Sequence, residues 1–424
     1  MVTARENELI TRTDPGTPGG ALMRRYWNPI ALSKELPTGA APMPIRLLGE
    51  DLLLFRDEQG RVGLLGLKCS HRCADLSFGR VEDGGLRCLY HGWLYDVHGK
   101  CLEQPAEPAD STYKDSIQHL AYPCKEMVGT IFAYMGTDEP PVFPDYEFLH
   151  MPEGHINVHK TYLDCNYLQA LEGNIDPAHL SYLHGTVVPP DQRAVPGSQK
   201  SADFYYGNDK RPTLDIELTD FGVRIFSLRQ TDADKKYVRV TNFIMPNKAA
   251  IVGNEGRVNQ GHQVNWHVPI DDTHHLRFDI TINRERPLDM KRYLGPIGSE
   301  VTEDGRLTRN RANRYRQDRE EMKRNFTGMG DYFLAHDAYA SESQGDIHDR
   351  SQEHLGTTDK FIAAARRQLL EGIEAVEKGE DPLHVIRNEA DNDMSHLVVL
   401  SEVVPVVEDH LSIWKKYASK AQAK

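Results

Sequence analysis

Residues 69–91 read CSHRCADLSFGRVEDGGLRCLYH. Cys69 and His71 form a C-x-H pair, Cys88 and His91 form a C-x-x-H pair, and sixteen residues separate His71 from Cys88. Two thiolates and two imidazoles on paired short loops can bind one zinc ion or a two-iron, two-sulfide cluster. In such a cluster both cysteines hold one iron and both histidines the other, which raises the reduction potential above that of an all-cysteine cluster. Zinc fingers pair cysteine with cysteine and histidine with histidine. Here each loop supplies one of each, which favours the cluster. Gly79, Gly84, Gly85 and Gly92 let backbone amides approach its sulfurs, and HGWLYD (91–96) resumes a strand at once.

Working outward, the 424 residues are enough for two domains with sizeable cores. Hydrophobic content is 39% with mixed charge, and no run approaches the roughly 18 apolar residues that a membrane span needs. The N-terminus, MVTARENELITRTD, has charge and no apolar core, unlike a secretory signal. A net charge of −13 argues against nucleic acid and anionic membranes as partners, though local arginines could still hold an anionic substrate. Of the six cysteines, Cys73, Cys101, Cys124 and Cys165 are left over as reduced thiols in a cytoplasmic protein. Cys73 fits no ligand spacing and is expected to pack.

Residues 1–43 read as an N-terminal arm, with a helical start in ALMRRYWNPI (21–30) that Pro29 ends. Residues 44–150 read as a small antiparallel β domain carrying the cluster loops. Asp57–Gly60 forms a hairpin turn, YPCKEMVGTIFAYMG (122–136) forms a strand pair, and the proline-rich DEPPVFPDYEF (138–148) closes the domain. Residues 151–424 form a larger domain. Strand-like runs at 216–229, 237–246, 262–270 and 276–285 suggest a large antiparallel sheet, with helical texture at 161–184, 305–326 and 359–378. The charged run 305–326 is expected to face water. The fold class is therefore α+β.

The second informative stretch is NYLQALEGNIDPAHLSYLH (166–184). On a helix, His179 lies about 60° behind Asp176 and His184 about 80° ahead of it, so all three fall on one side. A five-residue spacing is too wide for ideal chelation by two histidines. The helix is therefore expected to be irregular there, perturbed by a π-bulge and started by Pro177. Two histidines and a carboxylate make the facial triad of non-haem Fe(II), with open positions for O2 and substrate. H-x4-H alone is a weak signal. Behind a cluster that carries one electron and does no chemistry itself, it becomes the expected electron acceptor.

The first motif resembles the Rieske domain of ring-hydroxylating oxygenases, except that Ser70 and Leu89 stand where many members have proline after the cluster cysteines. The second resembles that family's D-x-x-H-x-x-x-x-H iron pattern. PGTPGG (15–20), NWHVPIDDTHH (265–275) and ESQGDIHDRSQEHLGTTD (342–359) look closest to the phthalate dioxygenase branch, which includes dehydrodivanillate O-demethylase. The resemblance implies a helix-grip catalytic domain, a [2Fe-2S] Rieske cluster on Cys69, His71, Cys88 and His91, and a mononuclear Fe(II) held by His179 and His184. It makes Asp176 a bridging acid between His179 and His91 of a neighbouring subunit in a head-to-tail α3 homotrimer. It takes the third iron ligand from a later aspartate. Asp337 is favoured, because a Q-D pair in this branch precedes the I-x-D-R phrase by about a dozen residues. His336 here replaces the glutamine, Asp349 is the runner-up, and Asp346 is a further candidate.

The implied function is that of a terminal oxygenase, supplied with electrons from NAD(P)H by a separate reductase or ferredoxin. The chain itself has no G-x-G-x-x-G nucleotide motif with its acidic residue. The dehydrodivanillate-like phrases favour O2-dependent O-demethylation or hydroxylation of an aromatic carboxylic acid, with cis-dihydroxylation of a phthalate-like ring as the alternative. A substrate carboxylate would take a bidentate arginine. Arg193, Arg211 and Arg239 are candidates by location, each also readable as a surface arginine, so none is assigned, and Glu172, one turn before Asp176, either supports the site or faces solvent. Two other classes compete: a Rieske electron carrier without oxygenase activity, and a zinc-binding interaction protein.

Overall fold

The computed structural model describes residues 2–185, 202–253, 260–291 and 298–418. Its strands fall into four antiparallel sheets. One four-stranded sheet joins Met43–Leu47, Glu50–Arg56, Val62–Gly66 and Ala121–Tyr122. Along Glu50–Arg56 successive side chains enter different cores. Leu52 and Leu54 join the large core of the molecule, while Leu53 and Phe55 join a small one with Leu65, Leu76, Tyr95 and the buried Cys69 and Cys88. Two-residue alternation with both faces buried is what a sheet between two layers requires. The hairpin at its centre turns where the sequence predicts it. Gly60 takes φ +82°, and Asp57 Oδ1 accepts from the amides of Gln59 and Arg61.

A second four-stranded sheet, of Arg80–Glu82, Gly85–Arg87, Leu94–Tyr95 and Cys101–Glu103, carries the second cluster loop between its middle strands. A third joins Cys124–Met127, Thr130–Tyr134 and Trp27–Leu32. That last strand corrects one expectation. The helix expected near residues 21–30 is instead Pro18–Met23, with Thr17 as its cap, and Pro29 sits in a strand at a register shift, where a missing N–H is tolerated.

The fourth sheet has eight strands, Ile156–Leu163, His274–Asn283, Gly261–Asp271, Lys248–Ile251, Lys235–Ile244, Gly222–Gln230 and Thr213–Leu218 in order, with Leu400–Pro405 paired to Lys235–Ile244. The helix Lys360–Glu377, where helical texture is expected, packs on it through Phe361, Ala365, Leu369 and Ile373, a four-residue repeat that makes one apolar stripe. The charged run 305–326 is not a regular helix. Asn310 and Asn313 bond each other's backbone and Arg309 reaches carbonyls, so local side-chain bonds replace the helical ladder and leave only short 3₁₀ turns. Among the described residues no helix is long and apolar enough to cross a membrane.

Candidate metal centres

The two cysteine loops are built alike. Cys69 donates its N–H to Ala74 and accepts at its carbonyl from Cys73, while Cys88 donates to Trp93 and accepts from Gly92. In each loop the residue four after the cysteine has positive φ: +75° at Gly92 and +56° at Cys73. Cys73 is exposed, so it fills this turn position and does not pack as expected. The loops bring the Cys69 and Cys88 side chains into contact and set the His71 and His91 ring centroids 4.4 Å apart. His71 stacks on Trp93 at 4.5 Å, and its Nδ1 is buried without a hydrogen-bond partner. Burial pushes the Cys88 thiol up, although the amides of Tyr90 and His91 are aimed at it. Buried sulfurs beside a buried, unpartnered imidazole nitrogen fit a two-iron, two-sulfide cluster. Ser70 bonds His119 Nδ1 at 2.7 Å, and the Tyr95 hydroxyl lies 3.2 Å from the Cys69 sulfur.

The second centre starts from the helix Tyr167–Ile175, capped by Asn166 and buried on Tyr167, Leu168, Leu171 and Ile175. It stops at Ile175, so Asp176, His179 and His184 do not share the single irregular helix expected from sequence. Proline disfavours helical geometry in the residue before it, and Asp176 takes φ −86°, ψ 112°. A separate 3₁₀ turn, His179–Ser181, follows. The helix Phe333–Glu342 brings Asp337 alongside. His179, His184 and Asp337 each offer one ligand atom, and these atoms all lie within 4.8 Å of one another. His184 Nε2 is 2.9 Å and His179 Nε2 4.0 Å from Asp337 Oδ1. Burial works against charge on both partners. It lowers the pKa of His179, but Asp176 and Asp337 outweigh it and hold the value above the ordinary range. It raises that of Asp337, but His184, His179 and Arg277 hold the carboxyl far below the usual carboxylate value. Two imidazoles and a carboxylate that is ionised at any working pH are the donor set that non-haem Fe(II) takes.

Asp176 Oδ2 faces His179 Nδ1 at 3.7 Å, while its Oδ1 accepts from the Ala178 amide at 2.6 Å. Both Asp176 and His179 border a cavity of about 320 Å³ that also touches Glu172 and Asp337. Asp346 and Asp349 are not brought to the histidines. Asp346 pairs with Arg311, and Asp349 caps a turn through Ser351. Glu172 does not face solvent: it lies between the buried Arg350 and Arg366. Of the candidate anion-binding arginines, Arg211 is exposed and Arg193 lies outside the described residues. Arg239 is buried, bonds Tyr206, and is close enough to His179 to act on its charge. Sequence reasoning gave no role to Arg277, which is 3.5 Å from Asp337 and is locked by Asp279, itself 3.1 Å from His159. The signal was the alternation of Arg277 and Asp279 on one face of a strand.

Residues 26–120 match the Rieske [2Fe-2S] domain family, and residues 133–424 match the family described as LigXa C-terminal domain like. The oxygenase subunit of phthalate 4,5-dioxygenase from Pseudomonas putida is 37% identical over 90% of this chain and 89% of its own. That of 5,5'-dehydrodivanillate O-demethylase from a Sphingobium species is 33% identical over 92% of this chain and 85% of its own. The fold is shared with a carbazole-bound variant of the carbazole 1,9a-dioxygenase oxygenase, solved with its ferredoxin. There the TM-score is 0.57 at 19% identity, over 92% of this chain and 97% of that one. The chain belongs to the α subunits of the Rieske aromatic-ring-hydroxylating oxygenases, and it is an iron-dependent oxidoreductase with a Rieske cluster and a mononuclear iron centre.

Proposed function

We propose that this chain is the terminal oxygenase component of a multicomponent system, and that it cis-dihydroxylates the ring of a small aromatic carboxylic acid. Cys69 and Cys88 hold one iron of the cluster and His71 and His91 the other, in a unit of about residues 44–150. His179, His184 and Asp337 hold the mononuclear iron in a unit spanning 151–424. When bound, these groups supply single electrons and open coordination positions for O2 chemistry. The observation that carries the reading is the convergence of His179, His184 and Asp337, ringed by Asp176 and the buried Arg239. Arg239, buried near His179 but already bonded to Tyr206, is the arginine we put forward as a partner for a substrate carboxylate. Asp176, facing the His179 ring from the cavity side, serves as the bridging acid.

Phthalate 4,5-dioxygenase is named for ring dioxygenation and is more similar here than the demethylase. That reverses the preference read from the sequence phrases. O-demethylation stands second, on the 33% identity to the dehydrodivanillate enzyme. The electron donor is a separate ferredoxin or reductase, a reading supported by the carbazole oxygenase solved with its ferredoxin. We further propose an α3 homotrimer in the cytoplasm without a nucleic-acid partner, on the family resemblance, six cysteines of which none is in a disulfide, and the net charge of −13. Turnover of phthalate-like and methoxylated aromatic acids with NAD(P)H and a reductase tests the function. A cis-diol without formaldehyde is expected, and stoichiometric formaldehyde without a diol would overturn it. Light scattering that gives a monomer would remove the trimer.

A further inference from the structure

The two histidines of the mononuclear site turn their second nitrogens to different partners. His179 faces a carboxylate, Asp176, whereas His184 faces another histidine: its Nδ1 is 3.2 Å from His336 Nδ1. The far nitrogen of that ring, His336 Nε2, lies 2.9 Å from the carbonyl oxygen of Gly330. A carbonyl can only accept, so the His336 proton sits on Nε2. A neutral imidazole has one N–H, so His336 Nδ1 is an acceptor. Two lone pairs cannot bond, so the proton between the rings belongs to His184 Nδ1. That leaves a lone pair on His184 Nε2 facing the Asp337 carboxylate oxygen 2.9 Å away, two acceptors that only a shared cation reconciles. With a metal on His184 Nε2 the neutral ring carries its proton on Nδ1, so a charged His336 would oppose donor to donor, and it would place a cation in a residue only 2% exposed. Packing holds the arrangement: Phe333 stacks on His184 at 4.6 Å, and the His336 ring lies nearly parallel to it at 5.4 Å. His336 and Asp337 are neighbours on one helix and grip opposite edges of the His184 ring.

We propose that His336 is a positioning residue. Through the Gly330 carbonyl it fixes His184 in the Nδ1–H tautomer and so aims the Nε2 lone pair at the mononuclear metal. The inference rests on the reading of His179, His184 and Asp337 as metal ligands. An outer partner of a ligating histidine fixes ring orientation and raises ligand basicity, and its loss typically costs about 10–100-fold in metal affinity. Glutamine can do the same work, since its oxygen accepts from His184 while its nitrogen donates to Gly330. Leucine fills the space and can do neither.

The test uses full-length protein with the cluster intact and the mononuclear metal removed by chelation. It is titrated with Co(II), whose visible bands report both affinity and coordination geometry. His336→Leu is expected to bind Co(II) about 10–100-fold more weakly with altered bands, and His336→Gln to stay within about threefold of the native protein. The cluster absorbance serves as the check on folding, and His336→Met replaces the leucine variant if that one does not fold. Native affinity in the leucine or methionine variant would overturn the proposal, as would a glutamine variant as weak as leucine. If the native protein itself binds no Co(II), or binds it unchanged after Asp337→Ala, the metal-site reading fails first, and that result is separate from the behaviour of His336.

Discussion

Glu172→Gln is expected to destabilise the catalytic half of the molecule by about 3–5 kcal/mol, the usual loss when one partner of a buried ion pair is removed. The Glu172 carboxylate is 3.0 Å from Arg350 and 2.6 Å from Arg366, whose side chains are 0% and 3% exposed. Arg366 keeps Glu353 in the variant, but Arg350 is left with the Asn7 side chain and the His348 carbonyl, both neutral. Burial pushes the Glu172 pKa up, yet the two guanidiniums outweigh it and hold the carboxyl below its ordinary range. The carboxylate therefore contributes stability above the unfolded carboxyl pKa, and that contribution is lost as pH falls through the lower folded value. The gap between native and variant should narrow in acid. Guanidinium titration followed by tryptophan fluorescence, at pH 7 and repeated in urea with 0.5 M salt, measures it. Salt should leave the deficit nearly intact, since buried pairs are poorly screened. A deficit below about 1 kcal/mol at pH 7, or one that salt abolishes, is the signature of a surface pair and would refute the reasoning.

Burial drives the pKa values of His262 and His275 down to about 4, so unfolded chains take up protons on acidification before the folded protein does. Each should remove about 2 kcal/mol of stability between pH 7.5 and pH 5. His262→Gln should flatten the urea midpoint over that range, and a slope equal to the native one would count against it. Tyr95→Phe removes the hydroxyl beside the Cys69 sulfur and should lower the cluster potential by on the order of 50–100 mV, read by EPR-monitored redox titration. Asp337→Ala should abolish mononuclear iron while Asp349→Ala retains it, with cluster iron and labile sulfide unchanged in both. The opposite iron counts would return the third ligand to Asp349.

The cluster motif was legible because its four residues are local. Each loop is a few residues long, and the ligand types are written directly into it. The alternating strands of the large sheet were legible for the same reason, since apolar periodicity is a local signal. Much of what escaped the reading depends on contacts far apart in the chain. Glu172 meets Arg350 and Arg366, 178 and 194 residues away, and nothing one turn before Asp176 announces a buried pair. His336 reaches His184 across 152 residues. Cys73 could not be placed because its turn conformation, not its side chain, decides where it sits. The run 305–326 faces water as its charge suggests, but its helical texture was misread because Asn310 and Asn313 cap and bond locally, which a charge count does not register. The function class was readable from motif order, whereas the choice between ring dioxygenation and demethylation depends on pocket shape, which two short motifs do not encode.

Pro177 explains how a spacing unsuited to a helix still yields a chelating pair. On a continuous helix, five residues would separate His179 from His184 by about 140° around the axis and about 7.5 Å along it. With the helix stopped at Ile175, the chain turns and the two rings come to 5.1 Å between centroids. The same break frees Asp176 from the helical surface, so that one carboxylate oxygen is pinned by the Ala178 amide and the other is left to face His179. Asp176 is thus held by its own backbone, and His184 by a neutral ring tied to Gly330. A carboxylate is free to share a proton with its histidine, and a histidine already committed to a carbonyl is not. Of the two histidines, the one backed by a carboxylate, His179, is also the one that borders the cavity.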